Sequence, residues 1–436
     1  MQKAQLSDAQ SLRGFILATV TFMAIFASTA VPIPLYADYQ ATIGLTTADI
    51  SNTMFTYLTA VALTLLFAGR ISDSFGRTPI TSLTVMLAIL GCILFLRAES
   101  GADVLTARFV QGLAAGFGMS AVSALVIDCV GEKHLSWGST VASCGSMFGI
   151  MIGSVGVGIL YGLVPRLSVI YGVMIAILAV CLFLLPIVHE PLDRTVSLRA
   201  SIKPRLFIPL HHRRLFAVVG VCYVVTWTVS NFFQSFAAPI AYQCFGETSP
   251  MAGSLILALV MAPSLLGSPL VARMDPRRAL MASLVVVTLT TAALGVLVGV
   301  GQEYAFMAVC AVFSVAMGVC VATSLRMLLL EVSVLQVSAI LSSVNLVAYA
   351  GSALTGLGTG ALLDASSYPV VFFAMVVLLV AASSFVFASL RAPQEQRKSH
   401  RLTLKAFHKM KGSDEPATAE AEGAVALPDE PAAAAL

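Results

Sequence analysis

The sequence predicts an all-α membrane protein with twelve transmembrane helices, and two observations carry that prediction. The 436-residue chain is 58% hydrophobic and only 11% charged, whereas soluble proteins carry about 25% charged residues. It also contains a series of apolar runs of roughly 20 residues, the length at which a helix crosses a bilayer. These runs lack the alternation of a β-barrel strand, so the spans are expected to be helical.

Twelve candidate spans follow one another in two groups of six. The first run is longer than the core of a signal peptide and ends without a small-residue cleavage site, so we interpret it as a retained helix. The predicted spans, numbered 1 to 12, are residues 14–36, 49–69, 79–97, 103–129, 138–163, 167–188, 215–240, 250–272, 279–298, 304–326, 336–361 and 368–390. The predicted organisation is an N-terminal segment 1–13, a six-helix unit 14–188, a basic linker 189–214, a second six-helix unit 215–390 and a tail 391–436.

The basic residues fix an expected orientation. If the N-terminus lies inside, every Lys and Arg except Arg97, Arg108 and Arg166 falls at the inner side of the membrane. Lys and Arg concentrate on the cytoplasmic side of membrane proteins. We therefore expect both termini and the linker to be cytoplasmic, in a multi-pass protein of the cell inner (plasma) membrane. Most of the tail is rich in Ala, Pro and Glu and is expected to be disordered.

A charged stretch, Gly69 to Pro79, links spans 2 and 3. It places Asp73 and Arg77 in a largely uncharged chain, with Gly69 and Gly76 available for backbone turns. The stretch resembles the G-x-x-x-D-x-x-G-R signature of major facilitator superfamily transporters, and a degenerate copy lies at 273–278, between spans 8 and 9. The resemblance implies two six-helix bundles around a central cavity, which work by alternating access.

Arg108 is a charge within span 4, and Gln111 lies on the same helix face. A charge inside a bilayer normally faces a cavity or a partner. The run 108–112 resembles the R-x-x-Q-G motif of the same family, and in proton-coupled members this implies a role in coupling. The alternative is an arginine that only ties helices together through backbone carbonyls. Because no Asp or Glu lies in the middle of any span, we hypothesise that Arg108 meets an anionic or zwitterionic group of the substrate.

Asp128 lies at the cytoplasmic end of span 4. In the family an acid at this position meets the arginine of the loop signature. The resemblance therefore implies an inner-gate cluster whose members are Gly69, Asp73, Gly76, Arg77 and Asp128. We expect this cluster to break when the inner side opens, which would make it a two-state element. The alternative is a static salt bridge.

Polar and aromatic side chains share faces on three spans. A small-molecule site needs a few convergent polar groups on an otherwise apolar wall, although each residue alone fits an interhelical hydrogen bond equally well. The candidate cavity residues are Asn52, Thr56 and Tyr57 on span 2, Tyr223, Trp227, Asn231 and Gln234 on span 7, and Asn345 and Tyr349 on span 11. The face of span 7 is the preferred cavity wall.

Span 5 carries a stripe of small residues that predicts close helix packing. The predicted packing residues are Gly145, Gly149, Gly153 and Gly156. The run 149–158 resembles the G-x-x-x-G-P-x-x-G-G signature of the family's exporters, but it has Ser154 in place of the proline. In span 1, Pro32 and Pro34 match a P-x-P pattern that also occurs in twelve-helix drug exporters.

The chain lacks the sequence motifs of several other classes. It contains no P-loop, no His-Glu-x-x-His and no Cys-x-x-Cys, so we expect no cofactor, no metal and no enzyme activity. Its basic segments lack the interleaved aromatic residues of nucleic-acid binders.

The expected function is proton-coupled export of small organic molecules by a monomer, similar to the twelve-helix drug/proton antiporters. Two alternatives stay open at this point. One is proton-coupled import of an organic anion or other metabolite. The other is a non-transporting sensor with the same fold.

Overall fold

A computed structural model describes residues 8–130, 135–188, 213–271, 274–330 and 337–391. Within these ranges the secondary structure is helical and contains no strand, and twelve helices are long and apolar enough to cross a membrane. The all-α prediction with twelve spans is confirmed. The expectations for the N-terminal residues 1–7, for linker residues 189–212 and for tail residues 392–436 lie outside the described residues.

The first six spans are joined by short links. Their helices are Asp8–Ala30 (span 1), Thr47–Phe67 (span 2), Arg77–Leu96 (span 3), Gly101–Phe117 continued by Ser123–Cys129 (span 4), Leu135–Leu163 (span 5) and Leu167–Leu184 (span 6). Span 1 ends six residues earlier than predicted, because Pro32 and Pro34 follow its last turn and proline supplies no N–H to a helix. Two short helices, Tyr36–Ile43 and Ser72–Phe75, lie in the links.

The second six spans repeat this arrangement. Their helices are Arg213–Phe245 (span 7), Pro250–Met261 continued by Gly267–Val271 (span 8), Pro276–Val300 (span 9), Glu303–Leu329 (span 10), Val337–Ala365 (span 11) and Tyr368–Arg391 (span 12). Span 9 begins with a proline at its first position, after Asp275, whose side chain accepts from the Arg278 N–H at 3.0 Å. A proline there is compatible with a helix, because the first N–H has no intrahelical partner.

Two spans contain a change of helix type along their length. Span 4 includes a π-helical turn at Gly118–Val122, and span 8 includes a 3₁₀ turn at Ala262–Leu266 that contains Pro263. Such turns alter which side chains share a helix face, and π turns are frequent at functional sites.

Within each half, most spans pack on one or more others. In the first half, span 1 packs on span 5, span 2 on span 4, and span 3 on spans 4 and 6. In the second half, span 7 packs on spans 8, 10 and 11, and span 9 packs on span 10. The halves meet where span 2 touches span 11 and where span 5 touches span 8. The boundaries of the two six-helix units at 188 and 215 stay predictions.

Glycines bring span 5 against span 1. A Cβ built at Gly145 would lie 2.9 Å from a ring carbon of Phe22, and one at Gly149 would lie 2.8 Å from the Phe26 Cβ. At Gly153 the Cβ would collide with the backbone of Ala27. Only glycine allows this approach, as expected for a stripe of small residues in a membrane.

The packing prediction for Gly156 is wrong. Gly156 is exposed, and a Cβ built there would meet nothing within 4 Å. The three-residue step from Gly153 turns Gly156 away from the line that the four-residue steps follow. Gly158 instead makes a close contact with span 8, where its Cβ would lie 2.8 Å from the Ser254 Oγ.

Candidate functional site

A cavity of about 1220 Å³ lies between the two halves of the protein. Spans 2, 4, 5, 7, 8, 10 and 11 contribute most of its wall. It reaches the side of the molecule that carries the link between spans 2 and 3, where Arg70, Asp73 and Arg77 line it together with Arg326. We call this the basic-loop side. It is the side that the charge pattern predicts to be cytoplasmic.

Spans 2 and 11 close the cavity at the opposite end. The Ser51 Oγ donates a hydrogen bond of 3.4 Å to the carbonyl oxygen of Gly356. Gly360, one turn further along span 11, is buried directly against the Ser51 side chain. The conformation is therefore open toward the basic-loop side and closed on the other.

Seven of the nine predicted cavity residues line this cavity: Tyr57, Tyr223, Trp227, Asn231, Gln234, Asn345 and Tyr349. The prediction is wrong for Asn52 and Thr56, which are partly buried outside the lining. Span 2 turns Met54 and Leu58 toward the cavity together with Tyr57, and the Asn52 end of the span lies beside the contact with span 11.

An aromatic wall joins spans 7 and 11. The Trp227 ring centroid lies 5.8 Å from that of Tyr223 and 5.0 Å from that of Tyr349, the second pair in an edge-on arrangement. These separations are typical of favourable aromatic pairs. The wall is therefore a connected cluster, and it gives the cavity flat apolar faces.

One turn beyond Trp227, span 7 presents an amide pair to the cavity. The Gln234 Nε2 donates to the Asn231 Oδ1 at 2.9 Å. Asn231 is only 7% exposed, and its Nδ2 has no hydrogen-bond partner among the described residues. Buried donors are nearly always paired in folded proteins, so this N–H group is an unusual feature of the cavity wall.

The Arg108 guanidinium is held by a set of neutral acceptors. Its Nε donates to the Tyr36 hydroxyl at 2.7 Å, and one terminal nitrogen donates to the same hydroxyl. The other terminal nitrogen donates to the Thr29 carbonyl oxygen at 2.8 Å and to the Gln111 Oε1 at 3.1 Å. Gln111 in turn donates to the Ser28 carbonyl oxygen at 2.9 Å. Arg108 thereby ties span 4 to span 1.

The expected position of Arg108 and Gln111 at the cavity is wrong for this conformation. Arg108 is 2% exposed and Gln111 is fully buried, and neither lines the cavity. The Tyr57 ring, whose centroid is 5.8 Å from the Arg108 Cζ, lies at the cavity wall. An anionic group of a substrate therefore has no direct access to the guanidinium, because aromatic rings and helix backbone surround it.

The charged residues of the 69–77 stretch meet Asp128. The Arg77 terminal nitrogen lies 2.7 Å from the Asp73 Oδ1, and its Nε lies 3.2 Å from the Asp128 Oδ2. Arg70 forms a longer pair with Asp73, at 3.6 Å. The side chains of Arg77, Asp73 and Asp128 are only 15%, 23% and 24% exposed, so solvent screens this cluster only in part.

Two glycines shape the backbone of this stretch. Gly76 precedes span 3 with φ of 102°, a conformation that side chains with a Cβ rarely adopt. A Cβ at Gly69 would lie 2.7 Å from the Leu65 carbonyl oxygen. Both positions thus favour glycine, and they set the path that brings Asp73 and Arg77 together.

The expectation that this cluster breaks when its side opens stays a prediction, and in this conformation the cluster is intact. The cavity reaches the basic-loop side, yet Arg77 remains paired with both Asp73 and Asp128. All three belong to the first half of the chain, so a displacement of one half relative to the other leaves their mutual distances unchanged. In this conformation the cluster fixes the link between spans 2 and 3 to the end of span 4.

Several residues in and around the site give little signal in the sequence. Tyr36, the main partner of Arg108, follows the P-x-P pattern after span 1. Its position close to these prolines is the only sequence feature that distinguishes it. Met147, Met261 and Met317 line the cavity. Methionine is flexible and adapts to ligands of different shape, but a methionine in an apolar span resembles an ordinary packing residue.

Comparison with known proteins adds an independent observation. The model of the Major Facilitator Superfamily matches residues 17–334, which is well over half of the chain. The chain belongs to the major facilitator superfamily. It is accordingly a multi-pass membrane transporter and not an enzyme. Among the described residues there is also no group of three or more His, Cys, Asp or Glu side chains arranged to hold a metal.

Two curated relatives of this major facilitator protein are similar to it over short segments. The multidrug resistance protein MdtL of Shewanella sp. (strain ANA-3) is 36% identical over 92 residues, which is 21% of this chain and 23% of that protein. MdtL of Vibrio parahaemolyticus serotype O3:K6 (strain RIMD 2210633) is 38% identical over 78 residues, 18% of this chain and 20% of that protein. The chain thus matches only about a fifth of the length of these relatives.

Solved transporters share the fold over a much longer stretch. A mutant of the nucleoside transporter NupG superimposes with a TM-score of 0.69 at 13% identity, covering 88% of this chain and 100% of NupG. A bacterial homologue of the human lysosomal transporter Spinster, in an inward-facing and occupied conformation, gives a TM-score of 0.69 at 15% identity. This match covers 88% of this chain and 98% of the homologue. At these identities the likeness shows the fold alone, and the major facilitator architecture is confirmed.

Proposed function

We propose that this major facilitator transporter exports small organic molecules across the inner membrane in exchange for protons. The observation that carries the proposal is the cavity, which is large enough for a drug-sized molecule and is lined mainly by aromatic, methionine and aliphatic side chains. Apart from the charged residues of the basic-loop side, the polar groups of the lining are neutral: the amides of Asn231, Gln234 and Asn345, and several serine hydroxyls that include Ser230 and Ser264. A wall of this kind suits apolar organic molecules better than sugars or other highly hydrated substrates.

The short similarity to MdtL supports export. Those relatives are named multidrug resistance proteins, although they match over a fifth of their length. The opening of the cavity toward the basic-loop side is consistent with loading from the cytoplasm, if the charge asymmetry sets the orientation as expected.

Proton coupling in this proposal uses carboxylates at the ends of the spans. Asp73 and Asp128 lie at the basic-loop side, and both contact Arg77. Protonation of either one weakens its attraction to Arg77, which would release the link between spans 2 and 3. On the opposite side Asp49 accepts hydrogen bonds from the Thr46 N–H and hydroxyl, and Asp38 lies in the helix Tyr36–Ile43.

Import of an organic anion is the second candidate, and the charge at the cavity mouth favours it. Three arginines, Arg70, Arg77 and Arg326, line this region with Asp73 as the one acid of the lining among the described residues. A positive entrance attracts anions and raises their local concentration.

Reconstitution in liposomes with an imposed pH gradient separates these functions. An exporter of the proposed kind moves substrate opposite to protons, whereas a symporter moves both in one direction. The substrates for this assay come from a growth screen of a deletion strain against toxic organic compounds. A proton ionophore is the control, because it must abolish any flux that the gradient drives.

A further inference from the structure

The amide group of Asn231 is a donor without an acceptor. Its oxygen is occupied by Gln234, while its Nδ2 has no hydrogen-bond partner in the part of the chain that the structure describes. Leaving a buried N–H unpaired is unfavourable, and an acceptor atom on a bound molecule would remove that penalty. Asn231 lines the cavity. Its Nδ2 is buried in this conformation, so it reaches a ligand there after a rotation of the Asn231 side chain.

Flat apolar surfaces stand next to this donor. Trp227 lies four residues from Asn231 on the same face of span 7, and its ring contacts those of Tyr223 and Tyr349. Tyr57 lines the cavity from span 2. Aromatic rings of this kind stack on planar molecules. Donor and rings together select a planar aromatic ligand that carries an acceptor such as a carbonyl oxygen.

The charge distribution around the cavity disfavours cations. Arg108 is buried behind Tyr57, and all its recorded hydrogen-bond partners are neutral oxygen atoms. Asp73, the acidic residue of the described lining, is already paired with Arg77 and Arg70. Buried charge acts over longer distances than exposed charge, because the interior screens it less. A cationic ligand would therefore meet a positive potential with no free carboxylate to offset it.

We propose that the cavity binds uncharged, planar aromatic molecules, with the Asn231 Nδ2 donating to an acceptor on the ligand and the Trp227 cluster covering its face, and that it rejects cations of the same shape. This deepens the proposed function, on which it rests for the assumption that the cavity carries the substrate. It also replaces the anionic group expected at Arg108 with a neutral acceptor at Asn231.

A matched pair of probes tests the charge selectivity. N-methylacridone and N-methylacridinium are planar tricycles of nearly equal size, but the first is neutral with a carbonyl oxygen and the second is a cation without one. Equilibrium binding to the full-length protein in detergent should give a dissociation constant at least about tenfold lower for N-methylacridone. Equal affinities, tighter binding of the cation, or no binding of N-methylacridone would overturn the inference.

Variants at Asn231 test the donor. Asn231→Leu should weaken the binding of N-methylacridone roughly tenfold, which is the usual effect of losing one hydrogen bond to a buried group. Asn231→Asp should lower the affinity for N-methylacridone and raise that for N-methylacridinium, because it replaces a donor with a negative charge. Asn52→Leu is the matched control, since Asn52 lies on span 2 outside the cavity lining, and it should leave both affinities unchanged.

The outcomes separate this inference from the proposed export. Binding is measured without a pH gradient, so the direction of transport does not affect it. Equal effects of Asn231→Leu and Asn52→Leu would reject the role of Asn231 even if export is demonstrated. If Asn231→Leu does not elute as a monodisperse protein, Asn231→Asp and the comparison of the two probes on the wild-type protein still decide the question.

Discussion

Gly360 of span 11 lies so close to Ser51 of span 2 that no side chain fits between them. The contact joins the two halves at the end of the cavity that is closed, and the Ser51 hydroxyl donates to the Gly356 carbonyl oxygen beside it. Closure of this end therefore depends on the absence of a Cβ at one position.

Gly360→Ala should disfavour the closed state of this end. The added methyl group would overlap the Ser51 side chain, and relief of the overlap requires spans 2 and 11 to separate. A penalty of about 1.4 kcal/mol changes the ratio of the two conformations tenfold. Distances between spin labels at the adjacent ends of spans 2 and 11 should therefore lengthen. Gly358→Ala is the control, because a Cβ at Gly358 meets nothing within 4 Å; equal distances in both variants would contradict the prediction.

Arg77→Ala should slow transport while substrate binding in detergent is retained. The change removes the cation that lies between Asp73 and Asp128. The Asp73 Oδ1 is 2.7 Å from a terminal nitrogen of Arg77, and the Asp128 Oδ2 is 3.2 Å from its Nε. We expect the cluster to lose about 1 to 2 kcal/mol of stabilisation, a value between those for exposed and for buried ion pairs. Asp73→Asn should act in the same direction. The measurement is the initial rate of flux in liposomes beside the dissociation constant in detergent.

Arg70→Ala is the matched control for that experiment. Arg70 is 41% exposed, and its distance to Asp73 is 3.6 Å, so its loss should change the rate much less. Binding that disappears in the Arg77→Ala protein while folding is intact would place this cluster in the substrate site instead.

Tyr36→Phe should lower the stability of the protein. The Tyr36 hydroxyl accepts hydrogen bonds from two nitrogens of Arg108 and donates to the Thr53 Oγ1 at 3.0 Å. A hydrogen bond to a charged group contributes about 1.5 to 3 kcal/mol. The midpoint of thermal unfolding in detergent should therefore fall by a few degrees. Tyr242→Phe removes a hydroxyl from a residue that is 53% exposed and should leave the midpoint unchanged; an equal fall in both variants would speak against the assigned role.

Gly149→Val should impair the packing of spans 1 and 5. Even a single Cβ at this position would lie 2.8 Å from the Phe26 Cβ, and the larger side chain would push the helices apart. We expect a loss of monodisperse protein in size-exclusion chromatography. The same change at Gly156, which is exposed on the same helix, should be tolerated. Similar losses at both positions would show that valine in span 5 is harmful for another reason.

The polar residues of span 4 illustrate how far sequence patterns predict a site. The sequence identifies Arg108 and Asp128 as important because a charge in or beside an apolar run is costly. Their partners are a different matter. The resemblance to the family implies the pairing of Asp128 with Arg77, whereas Tyr36 is brought to Arg108 by a turn after Pro34 that the apolar pattern does not reveal.

The sequence by itself determined the number of spans, their approximate bounds and the uneven distribution of positive charge. These properties are local, because each follows from whether a run of about 20 residues can lie in hydrocarbon. Tertiary structure decided which faces line the cavity. The π turn at 118–122 sets the phase of span 4, and the contact of span 2 with span 11 leaves Asn52 outside the cavity while Tyr57 lines it. Such choices depend on how helices far apart in the chain approach one another, and the periodicity of a single helix contains no information about its neighbours.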